Sequence, residues 1–229
     1  LRPNGIIIAI DGPTASGKST TARETAKRLG YIHINTGAMY RAFALYASEW
    51  GVDISSDERI PELAVRAYID FDEDGNILLE GRDVTKEILS PKIAQLASEL
   101  ATLPQVREKM VAMQQEIGKN GGVVLDGRDI GTVVFPDAEL KIFLIANAKT
   151  RAERRKEELA LAGNTISLEK LAQEIEERDK RDAERELSPL RKADDAIELD
   201  TSKLTISEQV DKVVKLARNK MDIPVRQNA

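Results

Sequence analysis

Gly12, Pro13, Thr14, Ala15, Ser16, Gly17, Lys18 and Ser19, with Thr20 behind them, fit the spacing G-x-x-x-x-G-K-[ST], which suits the holding of phosphate. Glycines let such a loop curl so that successive backbone N–H groups point inward. A helix beginning at its end adds the positive pole of its dipole. Lys18 is placed to bridge β- and γ-phosphates and to follow charge into the transition state, and the Ser19 hydroxyl suits Mg²⁺. A second cluster, Asp126-Gly127-Arg128-Asp129-Ile130-Gly131, follows an apolar run at Val123–Leu125, and in open α/β sheets ligands bind at such strand ends. Asp126 has the position of the second acidic residue of P-loop enzymes, holding a Mg²⁺-bound water. Arg128 can bind phosphate, and the Asp129 carboxylate can accept hydrogen bonds from an amino group. The plainer alternative is an ion pair of Arg128 with Asp126 or Asp129.

Two further groups bear charge or hydroxyls at helical spacing. In Asn35-Thr36-Gly37-Ala38-Met39-Tyr40-Arg41, a turn leads into a helix whose first turn brings Thr36 and Arg41 together, a pair suited to an acceptor phosphate; the alternative for Arg41 is an ordinary surface arginine. Arg178, Arg181 and Arg185 recur at i, i+3 and i+7 with Asp179 and Asp182 interleaved, and Arg151, Arg154 and Arg155 sit on the charged helix before them. These arginines form either a solvated, salt-bridged face or a mobile lid that closes over a phosphate in transfer and keeps water out.

Other chemistries lack their residues. There is no cysteine, hence no disulfide or thiol nucleophile, and the one histidine, His33, cannot build a metal cluster and reads as a packed strand residue. No Ser-His-Asp group is recognisable. None is required where the acceptor is an anionic phosphate that needs only alignment and charge neutralisation. A guanine-reading switch would carry Asn-Lys-x-Asp; Asn147-Ala148-Lys149-Thr150 has an inserted residue and no aspartate. The net charge of −5 argues against a nonspecific hold on nucleic acid and for a small ligand. No apolar run reaches the roughly 18 residues of a membrane span. Leu1–Gly5 also lacks the hydrophobic stretch of a signal peptide, so the expected location is the cytoplasm.

The elements that must position these groups follow from periodicity. Ile6–Ile10, Val123–Leu125 and Leu140–Ile145 are short apolar runs without alternation, as in parallel strands covered on both faces. Val106, Met110, Met113 and Ile117 keep helical spacing, as do Ile206, Val210, Val213 and Ala217, the latter set behind a capping box at Thr205–Glu208. Strand-then-helix repetition predicts an α/β, three-layer P-loop fold with a central parallel sheet flanked by helices. Turns at Asp74-Gly75-Asn76 and Glu80-Gly81-Arg82 predict a small antiparallel β insertion between Tyr68 and Thr85. Ala162-Gly163-Asn164 is expected to end a helix, and the tail after Met221 to be loose.

Taken together, Ile10–Pro13 with Gly17–Thr20, Asn35–Arg41, Asp126–Pro136 and Arg178–Asp182 resemble the bacterial cytidylate kinases over nearly the whole chain. The resemblance implies a single P-loop kinase unit over 1–229: a core (about 1–35, 119–150 and 186–221), a monophosphate-binding region with the insertion (about 36–118) and a helical lid with arginine-rich helices (about 151–185). It implies ATP as donor with Mg²⁺, held by residues Gly12 to Thr20 and, for the metal, by Ser19 and Asp126. CMP or dCMP would be the acceptor. Lys18, Arg128, Arg154 and Arg181 would be catalytic. Thr36, Arg41, Arg128 and Arg185 would meet phosphate, Ser98, Arg107 and Asp129 would read cytosine, and Arg178 with Asp182 would hold the ribose. A carboxylate at Asp129 accepts from the cytosine amino group and repels the carbonyl that uracil presents there. Two departures, Thr36 where serine is common and the less glycine-rich Pro13–Ser16, keep the hydroxyl and the tight backbone. A monomer without nucleic-acid or membrane partners is expected. The alternatives are a shikimate-type small-metabolite kinase, which would want a carboxylate where Asn35 and Thr36 stand, and a nucleotide-dependent switch without kinase activity.

Overall fold

The computed structural model describes residues 2–53, 57–72, 75–161 and 166–221. Asp74 of the first predicted hairpin turn, the helix end at Ala162-Gly163-Asn164 and the tail after Met221 fall outside the described residues. The chain divides into two compact units, residues 1–33 with 120–229, and residues 34–119.

The first unit is built on a parallel sheet of β1 (Ile7–Asp11), β2 (Ile32–Asn35, whose last two residues open the second unit), β6 (Val123–Gly127), β7 (Leu140–Ile145) and β8 (Ile197–Asp200), in the order β2-β6-β1-β7-β8. The apolar runs become strands because both faces are covered. Ile6, Ile8, Ile10, Val124, Leu140, Ile142 and Leu144 pack with Ala22 and Ala26 of α1 (Lys18–Leu29) and Val213 and Ala217 of α8 (Ile206–Met221). Each buried isoleucine or leucine contributes about 1.5–3 kcal/mol. Strand β6 runs two residues beyond the apolar triplet, so Asp126 lies within the sheet, in register with Ile10 of β1. Strand β8 was not legible: it has two apolar residues and lies at an edge, mostly exposed, so no continuous run marks it. The capping box forms, with Glu208 N–H donating to Thr205 Oγ1 at 3.3 Å and Thr205 N–H to Glu208 Oε2 at 2.8 Å. Helices α6 (Ala148–Leu161) and α7 (Leu168–Glu184) pack together in this unit.

The second unit holds α2 (Thr36–Glu49), α3 (Ile60–Arg66), α4 (Pro91–Leu100) and α5 (Pro104–Gly118) with the expected antiparallel insertion, β3 (Ile69–Phe71), β4 (Ile77–Leu79) and β5 (Arg82–Asp83). Glu80 at φ 51° and Gly81 at φ 77° turn β4 into β5, the two left-handed residues that a tight hairpin of matching twist needs. Helix α5 buries Val106 and Met110 as its spacing predicts, and Arg107 and Gln114 besides. No helix among the described residues is long and apolar enough to cross a membrane.

Candidate active site

The loop from Gly12 to Gly17 leaves β1 and enters α1. Gly12 cannot be replaced, because a Cβ there would strike the Leu144 carbonyl oxygen. Ala15 adopts φ 57°, a left-handed conformation that costs a non-glycine residue roughly 1–2 kcal/mol, so the loop holds strain just where the sequence is poor in glycine. Lys18 is buried, and its ammonium donates to the Pro13 carbonyl at 2.8 Å. Burial, with the Arg128 guanidinium next, pushes it well below the usual lysine range. An incoming phosphate would restore the charge that burial disfavours.

The structure brings Ser19 and Asp126 together: Ser19 Oγ donates to Asp126 Oδ2 at 2.5 Å. A hydroxyl beside a carboxylate is a hard-oxygen pair, the donor set that suits Mg²⁺. Burial works to raise the Asp126 carboxyl, but its hydrogen bond from His33, the nearby imidazole charge and the Ser19 hydroxyl hold it below the ordinary range. His33 was read as a packed strand residue. It is in β2, and its Nε2 lies 2.8 Å from Asp126 Oδ1, a partner 93 positions away that no local pattern announces. Asp11, at the end of β1, is a second residue the motif reading passed over. Its carboxylate accepts from the N–H of Ile130 at 2.9 Å and of Gly131 at 2.8 Å, anchoring the π-helical turn Ile130–Val134 just past Asp129. Burial outweighs these hydrogen bonds and raises Asp11 to about 7.

Arg128 reaches both the loop and α7: Nη2 donates to Thr14 Oγ1 at 3.1 Å and Nε to Asp182 Oδ2 at 2.7 Å. The carboxylate that Arg128 meets here is Asp182 of α7. Burial acts to raise Asp182, and the Arg128 charge and hydrogen bond win, holding it low. Asp129 is buried, with Arg185 Nη2 3.6 Å from its Oδ1. Arg185 is not on α7 but caps its end, and the turn that follows lets Nε donate to Ser188 O at 2.5 Å.

The two charged helices reach the phosphate loop unevenly. Asp179 accepts from the Thr14 N–H at 2.8 Å and pairs with Arg151, whose Nη1 also donates to Thr14 O at 3.3 Å. Arg154 donates to Ser16 O at 3.1 Å and to Thr201 O at 2.7 Å, tying the loop to the segment after β8. Arg155 instead pairs with Glu158 on its own helix. Arg181 is exposed and turns back on Glu177 O. The i+3 step from Arg178 rotates it about 60° to one side, whereas the i+4 step to Asp182 stays within about 40° of the face that meets Arg128. The loop thus gathers Arg128, Arg151 and Arg154, and Arg181 stands apart from it.

In the second unit Asn35 caps α2, accepting from Ala38 N–H at 2.8 Å and so fixing the first turn that carries buried Thr36. The Arg41 guanidinium lies over that turn, 3.8 Å from where a Cβ on Gly37 would stand. Ser98 is half-buried on α4, and buried Arg107 on α5 lies over the Tyr40 ring with its guanidinium carbon 5.8 Å from the centroid.

Residues 8–219 match the family model described as cytidylate kinase. The chain belongs to the cytidylate kinase family. It is 50% identical over 214 residues to the cytidylate kinase of Bacillus cereus (strain B4264), covering 92% of this chain and 95% of that one. With the cytidylate kinase of Bacillus thuringiensis (strain Al Hakam) it is 50% identical over 212 residues, 91% and 94% of the two chains. An uncharacterized protein from Eubacterium ventriosum superposes with a TM-score of 0.53 at 12% identity over 93% of this chain and 98% of that chain, a likeness of fold alone. Membership makes the chain a phosphotransferase with a nucleotide donor, and the shikimate-type and switch alternatives are not favoured.

Proposed function

We propose that this chain transfers the γ-phosphoryl group of ATP to CMP or dCMP, giving ADP with CDP or dCDP, as a cytoplasmic monomer. The observation that carries the reading is the sequence of groups leaving β6: Arg128 touches the phosphate loop through Thr14, and the next residue is the buried carboxylate of Asp129. A phosphate-binding group and a group that can accept from a cytosine amino group are thus adjacent on one rigid strand end. Mg²⁺, held by the Ser19 hydroxyl and through water by Asp126, would neutralise charge on the donor phosphates.

The protein's own groups do the rest. The loop Gly12 to Thr20 is assigned to the donor phosphates, Lys18 follows the moving charge, and Arg128, Arg151 and Arg154 are within reach of the loop to offset what develops. Arg178 and Asp182 on α7 are assigned to the ribose, and Arg185 to phosphate beside Asp129. In the second unit, Thr36 and Arg41 are assigned to the acceptor phosphate, and Ser98 with Arg107 to the base. No general base is needed, because the attacking phosphate oxygen is already anionic. Coupled ADP formation with ATP, Mg²⁺ and each of CMP, dCMP, UMP, AMP, GMP and shikimate tests the reading. Turnover with CMP and dCMP, at least tenfold above the others, is expected; turnover with another acceptor, or hydrolysis indifferent to acceptor, overturns it.

A further inference from the structure

We propose that His33 is a positioning residue for the metal-bound donor: it fixes the Asp126 carboxylate so that Oδ2 is turned to Ser19 and stays available to the ion's hydration shell. The inference rests on the P-loop reading of the site but not on the identity of the acceptor. A carboxylate has two oxygens and only accepts, so the 2.8 Å contact of His33 Nε2 with Asp126 Oδ1 makes that nitrogen the protonated one. The other oxygen, Oδ2, holds Ser19 Oγ at 2.5 Å. With one oxygen anchored from β2 and the other facing α1, the carboxylate cannot rotate without losing both bonds.

The anchoring has a purpose that the neighbouring charges make plain. Lys18 is buried close enough for Asp126 to act on its charge, and Asp126 is itself buried in β6. A free carboxylate in such surroundings would turn to the ammonium, because an unpaired buried cation is costly. That turn would take from the metal the oxygen that orders its water, and from the phosphates part of the Lys18 charge. His33 satisfies Oδ1 with a donor that is not the catalytic ammonium, and so keeps the two positive centres, lysine and metal, separately engaged. Groups that hold a metal's carboxylate in place from the next layer out are worth about 10–100-fold in metal affinity or activity.

The test is a split between metal-dependent and metal-independent binding. ATP affinity is measured by calorimetry with Mg²⁺ and again in EDTA, without CMP, for the unmodified protein, His33→Phe and His33→Gln. His33→Phe is expected to lose about tenfold of the increase in ATP affinity that Mg²⁺ brings, while ATP binding in EDTA stays within twofold. His33→Gln, whose amide can donate, should recover most of the loss. In an Asp126→Asn background the effect of His33→Phe should vanish. Equal loss in both buffers, or an unchanged Mg²⁺ increment, overturns the proposal. Should the phenylalanine variant fail to fold, the unmodified protein still decides: its single imidazole gives unambiguous ring-nitrogen NMR signals. Nε2 must carry a proton; a ring protonated on Nδ1 alone sinks the idea. Failure of CMP turnover beside a lost Mg²⁺ increment would discard the acceptor and keep His33, and the reverse would keep the kinase and discard His33.

Discussion

The two units carry their functional side chains in different ways. In the first, Asp11, Asp126 and Arg128 come off the ends of parallel strands and tie down the groups around them: Asp11 the Ile130 turn, Asp126 both His33 of β2 and Ser19 of α1, and Arg128 both Thr14 and Asp182 of α7. In the second they ride on helices, Thr36 and Arg41 on α2, Ser98 on α4 and Arg107 on α5, and their placement depends on helix caps and packing. Strand ends fix geometry through a sheet that is rigid on both faces. Helix-borne groups inherit whatever play the helices have. Under the proposed function, phosphate chemistry, which needs charge aligned to fractions of an ångström, would fall to the first kind of support.

The sharpest way to stress this contrast is Lys18→Ala. Turnover should fall on the order of 10³-fold with the melting temperature kept or raised, since a buried, desolvated ammonium is removed; steady-state kinetics beside calorimetry checks both. A fall of less than tenfold would detach the first unit from the chemistry.

Next in size is a pH effect confined to the first unit. Asp11 is raised to about 7 in the folded protein, above its unfolded value of 3.8, so between these values the folded state binds the extra proton. Its contribution is therefore greatest below about pH 4, declines as pH rises toward about 7 and is level beyond, on the order of a few kcal/mol in all. Asp126 and Asp182 are lowered and act oppositely: the stability they add is present above the ordinary aspartate range and is lost as pH falls through it. Denaturant melts from pH 5 to pH 8 should show a decline that Asp11→Asn abolishes. An unchanged slope in that variant would show that Asp11 is ionised throughout.

Asp129→Ala should lower the ratio of kcat/KM for CMP over UMP about 100-fold, since the variant removes both an acceptor for the amino group and a repulsion for the carbonyl. Equal loss on both nucleotides would remove its base-reading role. The smallest pair contrasts the units directly. Asn35→Ala and Thr205→Ala each delete a helix cap worth about 1 kcal/mol, read as a lower denaturation midpoint. Only the first should also raise KM for CMP, by a few-fold, because its helix carries Thr36 and Arg41. Equal KM values in the two variants would show that the cap on α2 does not tune the acceptor site.

How much of this was visible in the sequence depends on the distance over which each interaction acts. The phosphate loop is contiguous, and its strand and helix announce themselves on either side. The meeting of Ser19 with Asp126 was inferable because parallel strands place their ends together. His33 was dismissed because one imidazole makes no cluster, and its partner is set by the pairing of β2 beside β6. The Asp179 contact with Thr14 was equally hidden: it depends on how α7 packs, which charge spacing alone does not fix. Spacing suggested one arginine face on that helix, yet the structure turns Asp182 inward and Arg181 outward, and ends the helix before Arg185.

The register of β1 also orders events during synthesis. Ile7 aligns with Val123 and Ile8 with Leu140, so β1 waits for partners made over a hundred positions later. All of residues 34–119 emerge in that interval, and they hold their own compact unit. The apolar run Ile6–Ile10, destined for burial on both faces in and beside β1, is meanwhile a bare template for pairing with other chains. A nascent chain that has exposed residues up to about 120 outside the tunnel would thus carry a completed second unit and an unpaired, aggregation-prone β1. Demand for chaperone capture should peak at that length and fall once β6 and β7 have cleared the exit tunnel.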